Sequence, residues 1–219
     1  GLAAAHEGNP KRLYGLATLP MHEPDLARRE VERASGLAGV RGFYMATHVL
    51  ERELSDPAFF PVYERVESLG LPIFLHPVEV IVAQRLATHY LTNLLGNPFE
   101  SAIAAAHLIF GGVLDRFPKL TFCLPHAGGA FPWLAGRLHR GWEKRGELRH
   151  LKLEGPVAYL RRFYYDTVGY SDDVLEYLTR VIGADRVLMG SDYCFPIAYE
   201  QPVEIVTRHP HLDDEAKLR

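Results

Sequence analysis

The feature that most limits how this chain can fold is the recurrence of short β-prone runs, each bounded by turn residues and most followed by a stretch of helical period. Six stand out, at residues 13–18, 40–46, 72–75, 120–124, 163–167 and 186–189. Several are apolar on consecutive positions, as in Ile73-Phe74-Leu75 and Val187-Leu188-Met189. Alternation would mean one wet face, whereas consecutive apolar residues predict parallel strands covered on both faces. Strand then helix, six times over, implies a parallel α/β sheet with right-handed crossovers, either open and doubly wound or closed into a barrel. Periodicity alone leaves that choice open.

The intervening helices carry start and stop signals. Asp56-Pro57 opens a helix over 58–69 that Gly70 closes; Asn97-Pro98 opens 99–117; Ser171-Asp172-Asp173 opens 174–182, closed by Gly183. A short polar side chain caps orphan amides, Pro and acids suit the first turn, and Gly supplies the left-handed residue that ends a helix. Residues 24–34 and 202–207 are further helices with weaker ends. The basic stretch 137–152, with Arg137, Arg140, Lys144, Arg145, Arg149 and Lys152, also holds Glu143 and Glu147 and reads as a solvated helix face.

Composition narrows the function. With 219 residues a single core is the default, and 24 Lys plus Arg against 27 Asp plus Glu, a formal charge of −3, gives no general affinity for nucleic acid or acidic membranes. Apolar stretches such as 103–109 fall far short of the roughly 20 residues that cross a bilayer. Residues 1–12 show no charged segment before a sustained apolar run, so no secretory signal is expected. Two cysteines, Cys123 and Cys194, make neither a disulfide framework nor a zinc spacing, and a cytoplasmic setting is expected. Both ends read as helix interiors.

The chemistry gathers just past the C-terminal ends of three strands. Ile73-Phe74-Leu75 runs into His76-Pro77, Phe122-Cys123-Leu124 into Pro125-His126-Ala127-Gly128-Gly129, and Leu188-Met189 into Gly190-Ser191-Asp192. Parallel α/β folds build their sites at that edge, because each strand delivers one side chain to a shared rim. Two imidazoles and a carboxylate suit Zn²⁺ and, with water, Mn²⁺ or Fe²⁺. Taken singly, either His also serves as a satisfied core or capping residue, and Asp192 as a loop cap. There is no G-x-G-x-x-G after a strand, no Walker loop, no G-x-S-x-G elbow and no H-E-x-x-H, which leaves nucleotide binding and serine-hydrolase chemistry poorly supported.

Several segments together carry a resemblance: Leu13-Tyr14-Gly15-Leu16-Ala17-Thr18-Leu19-Pro20, Phe74-Leu75-His76-Pro77, Phe110-Gly111-Gly112-Val113-Leu114-Asp115-Arg116-Phe117-Pro118, His126-Ala127-Gly128-Gly129-Ala130-Phe131-Pro132 and Gly190-Ser191-Asp192-Tyr193. In that order they resemble the amidohydrolase-related (amidohydrolase 2) family that includes the aminocarboxymuconate-semialdehyde decarboxylases. The resemblance implies a (β/α)8 TIM-type barrel of the metal-dependent hydrolase superfamily, with the six runs as strands three to eight of an incomplete single domain over residues 1–219.

It also implies roles. His76 and Asp192 correspond to metal ligands, His126 to the group that acts on water or substrate, and Asp192 to a partner in proton transfer. Arg137 corresponds to an arginine that reaches a neighbouring subunit's site to hold a substrate carboxylate, which implies a homodimer or higher assembly. Phe195 corresponds to an aromatic pocket residue. The family's His-x-His pair from the first strand has no counterpart here, since His6 and His22 stand singly. The expectation is therefore a chain incomplete at both ends, with a natural metal-free relative as the alternative. Val78 stands where an aromatic residue is frequent, and Cys194, where Pro is usual, reads as pocket lining.

The function these readings favour is a metal-dependent carboxy-lyase acting on a small aromatic or unsaturated carboxylic acid, with a divalent metal, zinc first and manganese or iron also suited. The alternatives are hydrolysis of a C–N or C–O bond in a small cyclic substrate by the same residues, and a metal-free, non-catalytic barrel.

Overall fold

A computed structural model describes residues 1–152 and 155–218. Its main sheet has six parallel strands: β1 (Gly15–Thr18), β2 (Val40–Ala46), β3 (Ile73–His76), β4 (Phe122–Leu124), β5 (Phe163–Asp166) and β6 (Val187–Leu188). They lie side by side in chain order, each hydrogen-bonded to the next. A doubly wound sheet reverses direction partway and places its first strand in the interior; a barrel wall adds each strand on the same side. The observed order decides for the barrel wall.

Around the sheet run α1 (Leu2–Gly8), α2 (Pro24–Ser35), α3 (Phe60–Leu69), α4 (Asn97–Phe110), α5 (Val113–Arg116), α6 (Phe131–Lys144), α7 (Asp172–Ile182), α8 (Pro202–Thr207) and α9 (Asp214–Leu218). A two-stranded hairpin, His48–Val49 with Arg52–Glu53, follows β2. The strands alternate in burial: Phe43, Met45, Ile73, Leu75, Phe122, Phe163 and Tyr165 pack beneath the helices, while Tyr44, Phe74 and Tyr164 on the other face are half-buried and Leu188 is exposed. Full cover on both faces, the sequence expectation, is thus met on one side only. The other side is the inner face of the wall, where side chains from facing strands would meet.

Edge-to-face rings tie the helices to the sheet. Tyr63 of α3 meets Phe117 and Phe122, each with centroids 5.9 Å apart, and its buried hydroxyl donates to the Leu54 carbonyl.

Helix ends follow the sequence signals unevenly. Asp56 caps as expected, its carboxylate accepting from the Ala58 amide at 2.8 Å, and Gly70 closes α3 at φ 64°. Asn97 does not cap: a π-helical turn over Thr92–Gly96 runs straight into α4 and places it inside the helix. Ser171 also makes no capping bond, which leaves Asp172 and Asp173 to meet the positive end of α7. The single helix expected over 99–117 breaks at Gly111-Gly112. Gly112 turns left-handed at φ 72°, and Gly111 lies so close to Ser55 that a Cβ would fall 2.1 Å from the serine Cβ. The basic stretch continues α6 into a short 3-10 turn, with Arg140–Glu143 and Arg145–Glu147 pairs in solvent, as expected of a solvated face.

Candidate active site

The C-terminal edge of the sheet collects His76, His126, Asp166 and Asp192. His76 is the last residue of β3. Its Nδ1 donates to the Pro77 carbonyl at 2.7 Å, and because a carbonyl can only accept, the neutral ring keeps its lone pair on Nε2. Two rings flank it: Tyr44 on the neighbouring strand, at 6.1 Å, and Phe195, nearly parallel at 6.3 Å and 11°.

His126 follows β4 through Pro125 and meets His76 edge-on, ring centroids 5.3 Å apart. Both His126 and Ala127 have φ 56°, a left-handed turn built without glycine. Gly128 and Gly129 complete it where no side chain fits: a Cβ on Gly128 would stand 2.5 Å from the Tyr165 ring, and one on Gly129 2.2 Å from the Pro98 carbonyl oxygen. Asp166 ends β5 beneath this turn. It accepts from the amides of His126 at 3.1 Å, Ala127 at 2.7 Å and Val168 at 3.0 Å.

Asp192 follows β6, itself left-handed at φ 59°, and accepts from the Tyr170 hydroxyl at 3.1 Å. Tyr170 in turn packs against Tyr199, centroids 4.8 Å apart. Arg137, by contrast, lies on the exposed side of α6. Cys194 is exposed.

Burial sets the protonation states. It pulls the His126 imidazole down to about 4, helped by the like charge of His76 and opposed by Asp192, so the ring is neutral at physiological pH. Its Nδ1 is buried without a hydrogen-bond partner. Burial lifts Asp166 to about 6, outweighing its three amide bonds, with the charge of Asp192 adding to the rise. The Tyr170 phenol is raised as well, by burial and then by Asp192. Beside His126 opens a largely apolar cavity of about 500 Å³, walled by Trp133, Tyr170, Val174 and Tyr177. A neutral imidazole, a carboxylate and an apolar recess together suit proton transfer to or from a small, largely hydrophobic ligand.

A divalent metal would find partial accommodation. The Nε2 of His76 and the carboxylate of Asp192 are suitable donors, and the unpartnered Nδ1 of His126 marks a polar demand nearby. Among the described residues no group of three or more His, Cys, Asp or Glu side chains stands close enough to hold a metal ion. Two residues of the site escape the sequence reading. Asp166 obeys the rule that picks His76, since it ends a strand at the same edge; Tyr170 sits in a loop with no such signature.

Comparison with known proteins accords with this geometry. The amidohydrolase family model matches residues 2–217. The chain is 34% identical to 2-amino-3-carboxymuconate-6-semialdehyde decarboxylase of Dictyostelium discoideum over 210 residues, 95% of this chain and 58% of that protein. Among solved structures, 5-carboxyvanillate decarboxylase from Sphingomonas paucimobilis superposes with a TM-score of 0.89 at 30% identity, covering 99% of this chain and 66% of the other. A dihydroxybenzoic acid decarboxylase from a Polaromonas species, determined with bound manganese and 2-nitroresorcinol, gives 0.87 at 25%, covering 99% and 69%. The chain belongs to the amidohydrolase family, and its sheet is six consecutive strands of that family's (β/α)8 barrel. It spans about three fifths of the length of the curated relatives it matches.

Proposed function

We propose that this chain carries the larger part of the active site of a metal-dependent carboxy-lyase for a small aromatic or unsaturated carboxylic acid. The observation that carries the reading is the convergence of His76, His126 and Asp192 at one sheet edge, with Phe195 stacked on His76, in a chain whose relatives named above are decarboxylases. His76 and Asp192 would hold the metal, zinc or manganese or iron, which when bound withdraws electrons from the carbon that loses CO₂.

The protein's own groups do the rest. His126, neutral at working pH, moves a proton to or from the substrate carbon or water. Asp192 shares that proton relay, and Tyr170 holds its carboxylate in place. Phe195 walls the ring-binding side. Arg137, exposed on α6, pairs bidentately with a substrate carboxylate in a neighbouring subunit, so the working form is a homodimer or larger. The chain reads as a single incomplete barrel domain over residues 1–219, acting in the cytoplasm. No helix among the described residues is long and apolar enough to cross a membrane.

The test is CO₂ release from hydroxybenzoates and muconate-like acids, measured with the metal content determined in parallel. Metal-dependent CO₂ release that His76→Ala and Asp192→Ala abolish supports the reading. Turnover of lactones or amides without CO₂ would transfer the same residues to hydrolysis, and a full-length protein without stoichiometric metal would sink both.

A further inference from the structure

We propose that Asp166 is a positioning residue that sets the aim of the His126 imidazole, an inference that rests on the reading of His126 as the proton-moving group. Two successive non-glycine residues in left-handed conformation, His126 and Ala127, are costly and persist only where the surroundings hold them. Asp166 supplies that hold. Its Oδ2 accepts from the His126 amide at 3.1 Å; its Oδ1 accepts from Ala127 at 2.7 Å and from Val168 at 3.0 Å. Successive amides turned to one side form a cup for an anion, and here the anion is the protein's own side chain.

The turn has no slack elsewhere. Gly128 lies against the Tyr165 ring, Gly129 against Pro98, and the Ala130 amide donates to the Pro98 carbonyl at 3.0 Å. The Cα–Cβ direction of His126 is therefore fixed by the strand that ends in Asp166, and this brings its ring edge-on to His76. Among the described residues the hydrogen bonds of the Asp166 carboxylate all go to backbone amides and none to His76 or Asp192, so it acts through His126 and is not itself a catalytic residue.

The two oxygens have separate partners, which makes the role testable. Asp166→Asn can keep both Oδ1 bonds while its NH₂ group faces the His126 amide, donor against donor; Asp166→Ala loses all three. In the full chain, amide exchange at residues 126, 127 and 168 and the ring ¹⁵N shifts of His126 read the geometry directly, and CO₂ release reads its consequence. The expected result for Asp166→Asn is a folded protein melting a few degrees lower, with faster exchange at His126 alone, shifted ring nitrogens and KM held within about twofold, and kcat down about tenfold. For Asp166→Ala the loss in kcat is on the order of 100-fold. A folded Asp166→Asn with unaltered His126 exchange and ring shifts, or with KM raised and kcat intact, overturns the proposal. Should Asp166→Ala fail to fold, the Asn variant decides alone. Should the wild-type chain release no CO₂ from any acid, the lyase reading falls, and exchange and ring shifts still decide the positioning.

Discussion

Phe195 stands nearly parallel to the imidazole of His76, the ring planes within 11° of each other and the centroids 6.3 Å apart. One belongs to the loop after β6 and the other to the end of β3, so the stack joins the last strand of the sheet to its middle. Phe195→Ala removes the wall while leaving the sheet intact. The expected effect is a KM raised up to about tenfold with kcat little changed, since an aromatic pair contributes about 0.5–1.5 kcal/mol. Phe195 is half exposed, so denaturant unfolding should move by less than about 1 kcal/mol; a collapse in kcat at constant KM would contradict the role.

Glu100 anchors the segment that follows His76. It is buried, accepts from the Ile81 amide at 2.5 Å, and faces His48 Nδ1 at 3.6 Å. Truncation removes the carboxylate that holds the Ile81 amide, a residue itself half exposed, so Glu100→Ala should cost about 1 kcal/mol in urea unfolding, and Glu100→Gln less.

The acid limb of stability should bear the signature of His126 in the metal-free protein. Its folded pKa, about 4, lies below the ordinary 6.5. As pH falls through 6.5 the unfolded chain takes up a proton that the folded one refuses, so this residue's contribution declines between pH 6.5 and 4, by at most about 3 kcal/mol. Asp166, raised from 3.8 to about 6, works in the opposite sense: the folded state binds its proton first, and stability is gained as pH falls from 6 toward 3.8. Unfolding free energy followed from pH 7 to 4 should lose part of its decline in His126→Asn and steepen in Asp166→Asn; identical slopes in all three proteins would refute both assignments.

Two glycines should respond in opposite directions to alanine. Gly129 sits at φ 59° with Pro98 where a Cβ would go, and Gly129→Ala should destabilise by about 3 kcal/mol or more. Gly136, inside α6 with open space around its Cα, should gain roughly 0.5–1 kcal/mol as alanine. Thermal melting of the pair is sufficient.

The proposed sharing of Arg137 between subunits predicts complementation. Arg137→Ala and His126→Asn chains, each inactive alone, form mixed dimers in which one of the two sites is whole. Co-refolding should restore about a quarter of wild-type activity; no recovery in a mixture shown to contain heterodimers would place Arg137 outside the partner's site.

The sheet could be read from the sequence because its signals are local. Runs of apolar β-formers mark all six strands, with β2 matched at both ends. The candidate site was legible as far as one rule reached, a polar residue just beyond a strand, which picks out His76, His126 and Asp192, brought to one sheet edge in the fold. Asp166 obeys the same rule yet reads as an ordinary strand end, because its partners are backbone amides contributed by another strand's turn. Tyr170 is invisible for a related reason: its role exists only once the loop after β5 meets the loop after β6. The break at Gly111-Gly112 has a local cause in the left-handed Gly112, whereas the close approach of Ser55 that keeps residue 111 a glycine is tertiary.

The bond from the Ala130 amide to the Pro98 carbonyl makes the turn bearing His126 an extension of α4, and so denies it any life as an independent lid. Adaptability must lie elsewhere on the rim. The exposed apolar residues Val78, Leu94, Tyr193 and Phe195 belong to the segments after β3 and β6, where substitution disturbs little packing. A lineage built on this scaffold can thus change the molecules that fit it by rewriting those segments, while His126 stays where the frame has put it.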